Sequence, residues 1–313
     1  MNPENPNNFK GITAREALRT ISLNVVHFWA INNELRSIRL EPRMLRANDP
    51  VQAIDAIFPS VRPRFAVGAP HFREKCLLAA LFVLTLAALF APALHASAWP
   101  IPHYVDTRFW LGVPNAGDVL SNLTFVAMGV WGLMLQRARN DAPVGTGCFF
   151  VGLILTCIGS SIYHLDPDAP QRLVADRLGM AVAFAGFLGI AASERVSRRA
   201  GLAMVVLMMF AGPLAAWVAR ENLTPWAVVQ FGGMALAVGL ALTKPRDGAL
   251  GVPLGGVIVF YVLAKLFELG DATIFEATGH IVSGHTLKHL AAALAAWPVI
   301  RALGPTGSVP SRR

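Results

Sequence analysis

Five residues, carried by three separate stretches, have the types and spacing to do chemistry together. "TCIGSSIYHLDPD" holds Ser160 and His164, "VADRLGM" holds Asp176, and "SGHTLKHLAAALAAW" holds His285 and His289. Ser160 and His164 stand four positions apart, as do His285 and His289, so on a helix each pair shares one face, one turn apart. Three imidazoles match the protein ligand set of a catalytic zinc site, which keeps a fourth position for water. Zinc lowers the pKa of such a water to around 7. Asp176 is then a candidate to take the water's proton and deliver it to a leaving group, and Ser160 a candidate hydrogen-bond donor to an oxyanion. Each residue alone has an ordinary explanation. A histidine at a helix end bonds water or a carbonyl, and a serine in an apolar helix bonds back to its own turn.

The elements that must position these residues are apolar helices. The chain has 313 residues, of which 54% are hydrophobic and only 15% charged, against about a quarter charged in a soluble domain. Its mean hydropathy is +0.50. Eight stretches approach the roughly 20 residues needed to cross a bilayer: 76–94, 119–136, 146–164, 174–192, 201–219, 225–243, 250–269 and 284–302. Lipid cannot satisfy backbone hydrogen bonds, and these runs are too long and unalternating for barrel strands, so they read as helices. The expected fold class is all-α, a polytopic membrane helix bundle. The formal charge of +8 sits in arginine clusters flanking the apolar stretches and does not call for nucleic acid. Cys76, Cys148 and Cys157 lie inside apolar runs with no paired spacing, which argues against a disulfide framework or a zinc ribbon.

The connections alternate in charge. Arg73 and Lys75, Arg137 and Arg139, Arg195 with Arg198 and Arg199, Lys244 and Arg246, and Arg301 with Arg312 and Arg313 mark every second connection. The positive-inside rule therefore places both termini in the cytoplasm of a multi-pass protein, in the inner membrane if the cell is bacterial. The third span then runs outward and the fourth and eighth run inward. All five polar residues come to one depth, towards the extracytoplasmic side, where an ionisable group inside a membrane marks a functional site by default.

Four regions follow from this pattern. Residues 1–75 form a polar extension with eleven Lys/Arg against seven Asp/Glu and an amphipathic stretch, "AREALRTISLNVVHFWAINNELRSI". Residues 76–104 hold an extra N-terminal transmembrane helix and an external linker. Its basic flank, apolar run and Ala96-Ser97-Ala98 ending have the layout of a secretory signal. The long apolar run and the residues upstream favour an uncleaved anchor. Residues 105–303 form a seven-helix membrane domain, and 304–313 a cytoplasmic tail.

The pieces "DVLSNLTF", "SSIYH", "DRLGM" and "GHTLKH" together resemble the alkaline ceramidase family. That family belongs to a superfamily of seven-helix membrane hydrolases that also includes the progestin and adiponectin receptors. The resemblance covers roughly residues 105–303, and Ser121-Asn122 takes the family's Ser-Asn position. It implies zinc held by His164, His285 and His289, with Ser160 and Asp176 acting on water and on the substrate carbonyl. The implied reaction is hydrolysis of the amide of ceramide or a related N-acyl lipid to a fatty acid and a sphingoid base or other amine. The family's calcium site is not expected here, because only Asp106, Asn115 and Asp118 are available before the first core helix, and two carboxylates make a poor calcium site. Lys265 and Glu268 are expected to pair at i, i+3. Three other readings compete. A receptor-like relative would use the zinc structurally or in signalling. A haem carrier would use two of the histidines and leave Ser160 and Asp176 without a role. A transporter would need spans broken at the midplane.

Overall fold

The computed structural model describes residues 71–95, 104–169 and 171–304. The amphipathic stretch in the N-terminal extension, the Ala96-Ser97-Ala98 ending and the C-terminal tail lie outside the described residues. Within them the chain is helical, and β structure is confined to two isolated bridges. The helices are α1 (Phe72–Phe90), α2 (Ala116–Ser121), α3 (Leu123–Arg137), α4 (Thr146–His164), α5 (Arg172–Arg195) and α6 (Arg198–Val218). There follow α7 (Thr224–Ala227), a π-helical turn over Val228–Gly232, α8 (Gly233–Ala241), α9 (Leu254–Leu269), α10 (Asp271–Ala277), α11 (Gly284–Leu294) and α12 (Trp297–Leu303).

Five helical segments are long and apolar enough to cross a membrane: Ala116–Arg137, Thr146–His164, Arg172–Arg195, Arg198–Val218 and Thr224–Ala241. Three further apolar stretches are shorter, broken or more charged. The α1 helix carries Arg73, Glu74 and Lys75 in its first turn, α9 has 16 residues, and the last stretch divides into α11 and α12. Large apolar side chains such as Phe210, Leu214 and Val259 face outward, which is costly in water and unremarkable against lipid.

The α5 helix is the centre of the bundle. From Ala181 to Arg195 nearly every residue is buried, because α4, α6 and α8 pack around it. The α4 and α5 helices lie antiparallel with their backbones almost in contact. A Cβ added at Gly152 would meet the Ala183 nitrogen at 2.1 Å, one at Gly159 the Ala175 carbonyl at 2.1 Å, and one at Gly186 the Phe149 nitrogen at 2.1 Å. Small residues that permit close approach are the usual means of helix association where no hydrophobic drive exists. Here the closeness also brings Ser160 and Asp176 together, since Gly159 precedes Ser160 and Ala175 precedes Asp176.

Buried polar groups gather at two ends of an apolar middle formed by residues such as Phe150, Leu188, Ile190 and Val299. At one end the buried Glu194 carboxylate accepts the backbone N–H groups of Leu250, Gly251 and Val252 at 3.0, 2.8 and 2.9 Å. This pins the connection into α9. The α1 helix is tied to the rest at both ends. Ser197 donates to Glu74 at 2.5 Å and Arg73 to the Arg195 carbonyl at 2.8 Å. At its far end, Leu223 N–H donates to the Leu94 carbonyl at 2.8 Å and Thr224 to that of Pro92 at 2.7 Å.

Candidate metal centre and adjoining cavity

The opposite polar end holds the histidines. His164 is the last residue of α4, and Asn115 donates to its carbonyl at 2.8 Å, which satisfies a group the helix end leaves free. His285 and His289 project from the first two turns of α11, whose start is capped by the Ser283 hydroxyl accepting from Thr286 N–H at 3.0 Å. Asp271 holds the same turn by accepting from His285 N–H at 2.7 Å.

The three imidazoles form a nearly equilateral triangle, with ring centroids 4.8, 5.1 and 4.8 Å apart. Each is buried, at 1%, 4% and 3% exposure for His164, His285 and His289. One nitrogen from each lies within 4.8 Å of the others, and this is the only such His/Cys/Asp/Glu group among the described residues that could hold a metal ion. The fit can be checked on one edge. His164 Nε2 and His285 Nε2 are 3.2 Å apart, and tetrahedral zinc with Zn–N bonds of about 2.05 Å needs nitrogens about 3.3 Å apart.

The tautomer of His289 also fits. Its Nδ1 lies 3.1 Å from the Asp118 carbonyl and 2.8 Å from the Ser121 hydroxyl. A carbonyl only accepts, so Nδ1 carries the proton and Nε2 keeps its lone pair for the centre of the triangle. Ser121 in turn donates to the Asp118 carbonyl at 2.9 Å. Second partners of this kind fix ring orientation in metal sites. His164 Nδ1 is buried without a protein partner, and its ring is oriented by packing against Tyr104 and Tyr163, with centroids 4.9 and 5.0 Å away.

Ser160, Asp176 and His289 line one cavity, together with Lys265, Glu268 and Lys288 at its polar end. Ser160 and Asp176 enter it from α4 and α5, whose backbones meet at Gly159 and Ala175. Away from the histidines the lining turns apolar, through Phe149, Phe187, Val257 and Ala295. The volume is about 160 Å³, roughly ten times the least space that holds a water, enough for a stretch of alkyl chain. Lys265 and Glu268 pair at 2.6 Å, as their spacing implies.

Asp106 and Asn115 are partnered by Arg108 and by the His164 carbonyl, whereas Asp118 Oδ2 is buried without a partner. Arg108 forks onto both Asp106 oxygens at 2.7 and 2.6 Å, and the same guanidinium donates to the carbonyls of His280 and Ile281 at 2.8 Å. The strap ties the chain before α2 to the chain before α11. Asp118 accepts from Thr286 at 2.9 Å.

Several residues of the site are not legible from spacing. Ser121 and Asp118 act on His289 from another helix, and Tyr104 stacks its edge on His164 and His285 from a segment with no periodic signal. Gln230 reaches the cavity from the π turn, and the Tyr261 hydroxyl that lines it is buried without a partner. Two signals were present: the ionisable Lys288 inside an apolar run, and the Ser121-Asn122 pair. Comparison of the chain with family models, with curated proteins and with solved structures returns no match.

Proposed function

We propose that the chain is a zinc-dependent integral-membrane hydrolase that cleaves the amide of ceramide or a related N-acyl lipid to a fatty acid and an amine. The observation that carries this reading is a buried three-histidine triangle, one member of which, His289, lines an apolar cavity together with Asp176 and Ser160. Three nitrogen ligands leave a catalytic ion one position for substrate or water, whereas structural zinc is closed by four protein ligands. Bound zinc would supply Lewis acidity and activated water. The rest is done by the chain's own groups. The Asp176 carboxylate holds a proton taken from water and passes it to the departing nitrogen. The Ser160 hydroxyl is a donor to the acyl oxygen. The apolar lining takes the acyl chain and excludes bulk water, which strengthens each polar contact at the site.

In this reading the eight apolar stretches all cross the membrane, α1 as an extra helix and Ala116 to Leu303 as a seven-helix core resembling the alkaline ceramidases. Both termini lie in the cytoplasm and the histidines open to the other side. Reporter fusions after residues 140, 195, 245 and 313 then score cytoplasmic, and one near residue 168 scores external. The deciding experiment is hydrolysis of N-hexadecanoylsphingosine by the purified full-length chain, with metal content measured on the same sample. Zinc bound without turnover on any N-acyl lipid would move the protein to a receptor-like relative with a structural or signalling site.

A further inference from the structure

Lys288 stands directly before His289 in sequence, and its ammonium lies 2.8 Å from Glu268 Oε1 and 3.3 Å from His285 Nε2. The other Glu268 oxygen accepts from Lys265 at 2.6 Å. One carboxylate on α9 is therefore shared by two ammonium groups, and all three side chains line the cavity beside Ser160, Asp176 and His289. Pairing alone does not account for this, because Lys265 already answers Glu268 from its own helix. The second lysine brings a further positive charge against a histidine nitrogen.

An ammonium has three N–H donors. One of Lys288's goes to Glu268, and another faces the His285 lone pair, which is the pair a metal takes. A coordinated nitrogen accepts no hydrogen bond. With metal bound, the ammonium loses that acceptor and sits close to a dication. An oxygen that carries or develops negative charge beside the metal satisfies both.

We infer that Lys288 is a catalytic donor to the acyl oxygen of the substrate, positioned by Glu268; this rests on the hydrolase reading above. As the oxygen of water bonds to the acyl carbon, the carbonyl π pair moves onto the acyl oxygen, and Lys288 donates to it. The water's proton passes to Asp176. When the carbonyl re-forms, the C–N pair leaves with nitrogen, which takes the proton from Asp176. The products are a carboxylic acid and an amine. Lys288 thus adds a charged donor to the neutral one from Ser160, and charge-assisted hydrogen bonds are roughly twice as strong.

The test uses the full-length protein with Lys288→Met, Lys288→Arg and Glu268→Gln, zinc alone and hexadecanoate as binding probes, and N-hexadecanoylsphingosine as substrate. In Lys288→Met, zinc affinity rises on the order of tenfold, since a cation beside the dication is gone. Hexadecanoate binding to the zinc-loaded protein weakens on the order of tenfold, and Lys288→Arg retains it. Loss of an oxyanion donor lowers kcat about 10²–10³-fold while KM moves little, and Lys288→Arg recovers part. Unchanged zinc affinity together with unchanged hexadecanoate binding overturns the assignment, as does loss of zinc. If Lys288→Met does not fold, Glu268→Gln decides: released from its carboxylate, the ammonium binds hexadecanoate more weakly, and unaltered binding overturns its positioning. If the wild type cleaves no N-acyl lipid, the hydrolase reading falls, and the two binding measurements still decide where Lys288 acts.

Discussion

The Nε2 atoms of His164 and His285 approach to 3.2 Å across 121 positions of sequence, close to the edge of a tetrahedral zinc site. The purified protein is expected to carry about one zinc per chain. His164→Ala, His285→Ala and His289→Ala each remove most of it. Elemental analysis of the three variants checks this, and full occupancy in any two of them rules the triangle out as the metal site.

Ser121→Ala tests the orientation of His289 rather than its ligation. The variant loses the hydroxyl at 2.8 Å from Nδ1 but keeps the Asp118 carbonyl at 3.1 Å. Removal of such outer partners costs about 10–100-fold in metal affinity or activity. Zinc titration against a chelator reads the loss, and unchanged affinity removes Ser121 from the site.

Asp176→Asn keeps shape and volume while removing the proton acceptor. Hydrolysis is expected to fall about 10²–10⁴-fold with zinc retained, measured as turnover per folded molecule. Normal turnover would exclude Asp176 from the proton path, and lost zinc would make it a ligand.

Gly159→Ala tests the contact that brings Ser160 to Asp176. The new Cβ meets the Ala175 carbonyl at 2.1 Å, so α4 and α5 must part, at about 1–3 kcal/mol. A lower melting temperature is expected together with reduced turnover. Gly255→Ala on α9 meets nothing within 4 Å and serves as the control, changing stability by no more than about 1 kcal/mol.

The Asp106–Arg108 pair sets a pH dependence outside the membrane. Hydrogen bonds from Arg108 hold the Asp106 carboxyl below its ordinary value. A carboxyl lowered in the folded state adds stability above its unfolded value, about pH 4, and that stability fades as pH falls through the lowered one. Thermal melts from pH 6 downward should show a loss that Asp106→Asn largely lacks. Parallel curves for the two proteins would show the pair to be neutral.

The sequence by itself determined the helices and the pairs within each. Lipid leaves the backbone no alternative to helix, so the stretches at 146–164 and 174–192 coincide with α4 and most of α5. The four-residue spacings of Ser160 with His164 and His285 with His289, and the pairing of Lys265 with Glu268, follow from a period that is the same in every α-helix. Tertiary structure decided everything that passes between helices. Which nitrogen of His289 faces the triangle depends on Ser121 and the Asp118 carbonyl, and whether Lys288 meets Glu268 depends on how α9 lies against α11. The last stretch divides at Ala295 and Ala296, and a turn at Val228–Gly232 widens to π geometry, neither of which a hydropathy pattern contains. The reason is physical: helical periodicity is enforced by local backbone bonds, whereas the rotation of one helix against another is set by side-chain packing and by close glycine contacts such as Gly159 on Ala175, which only the assembled bundle defines.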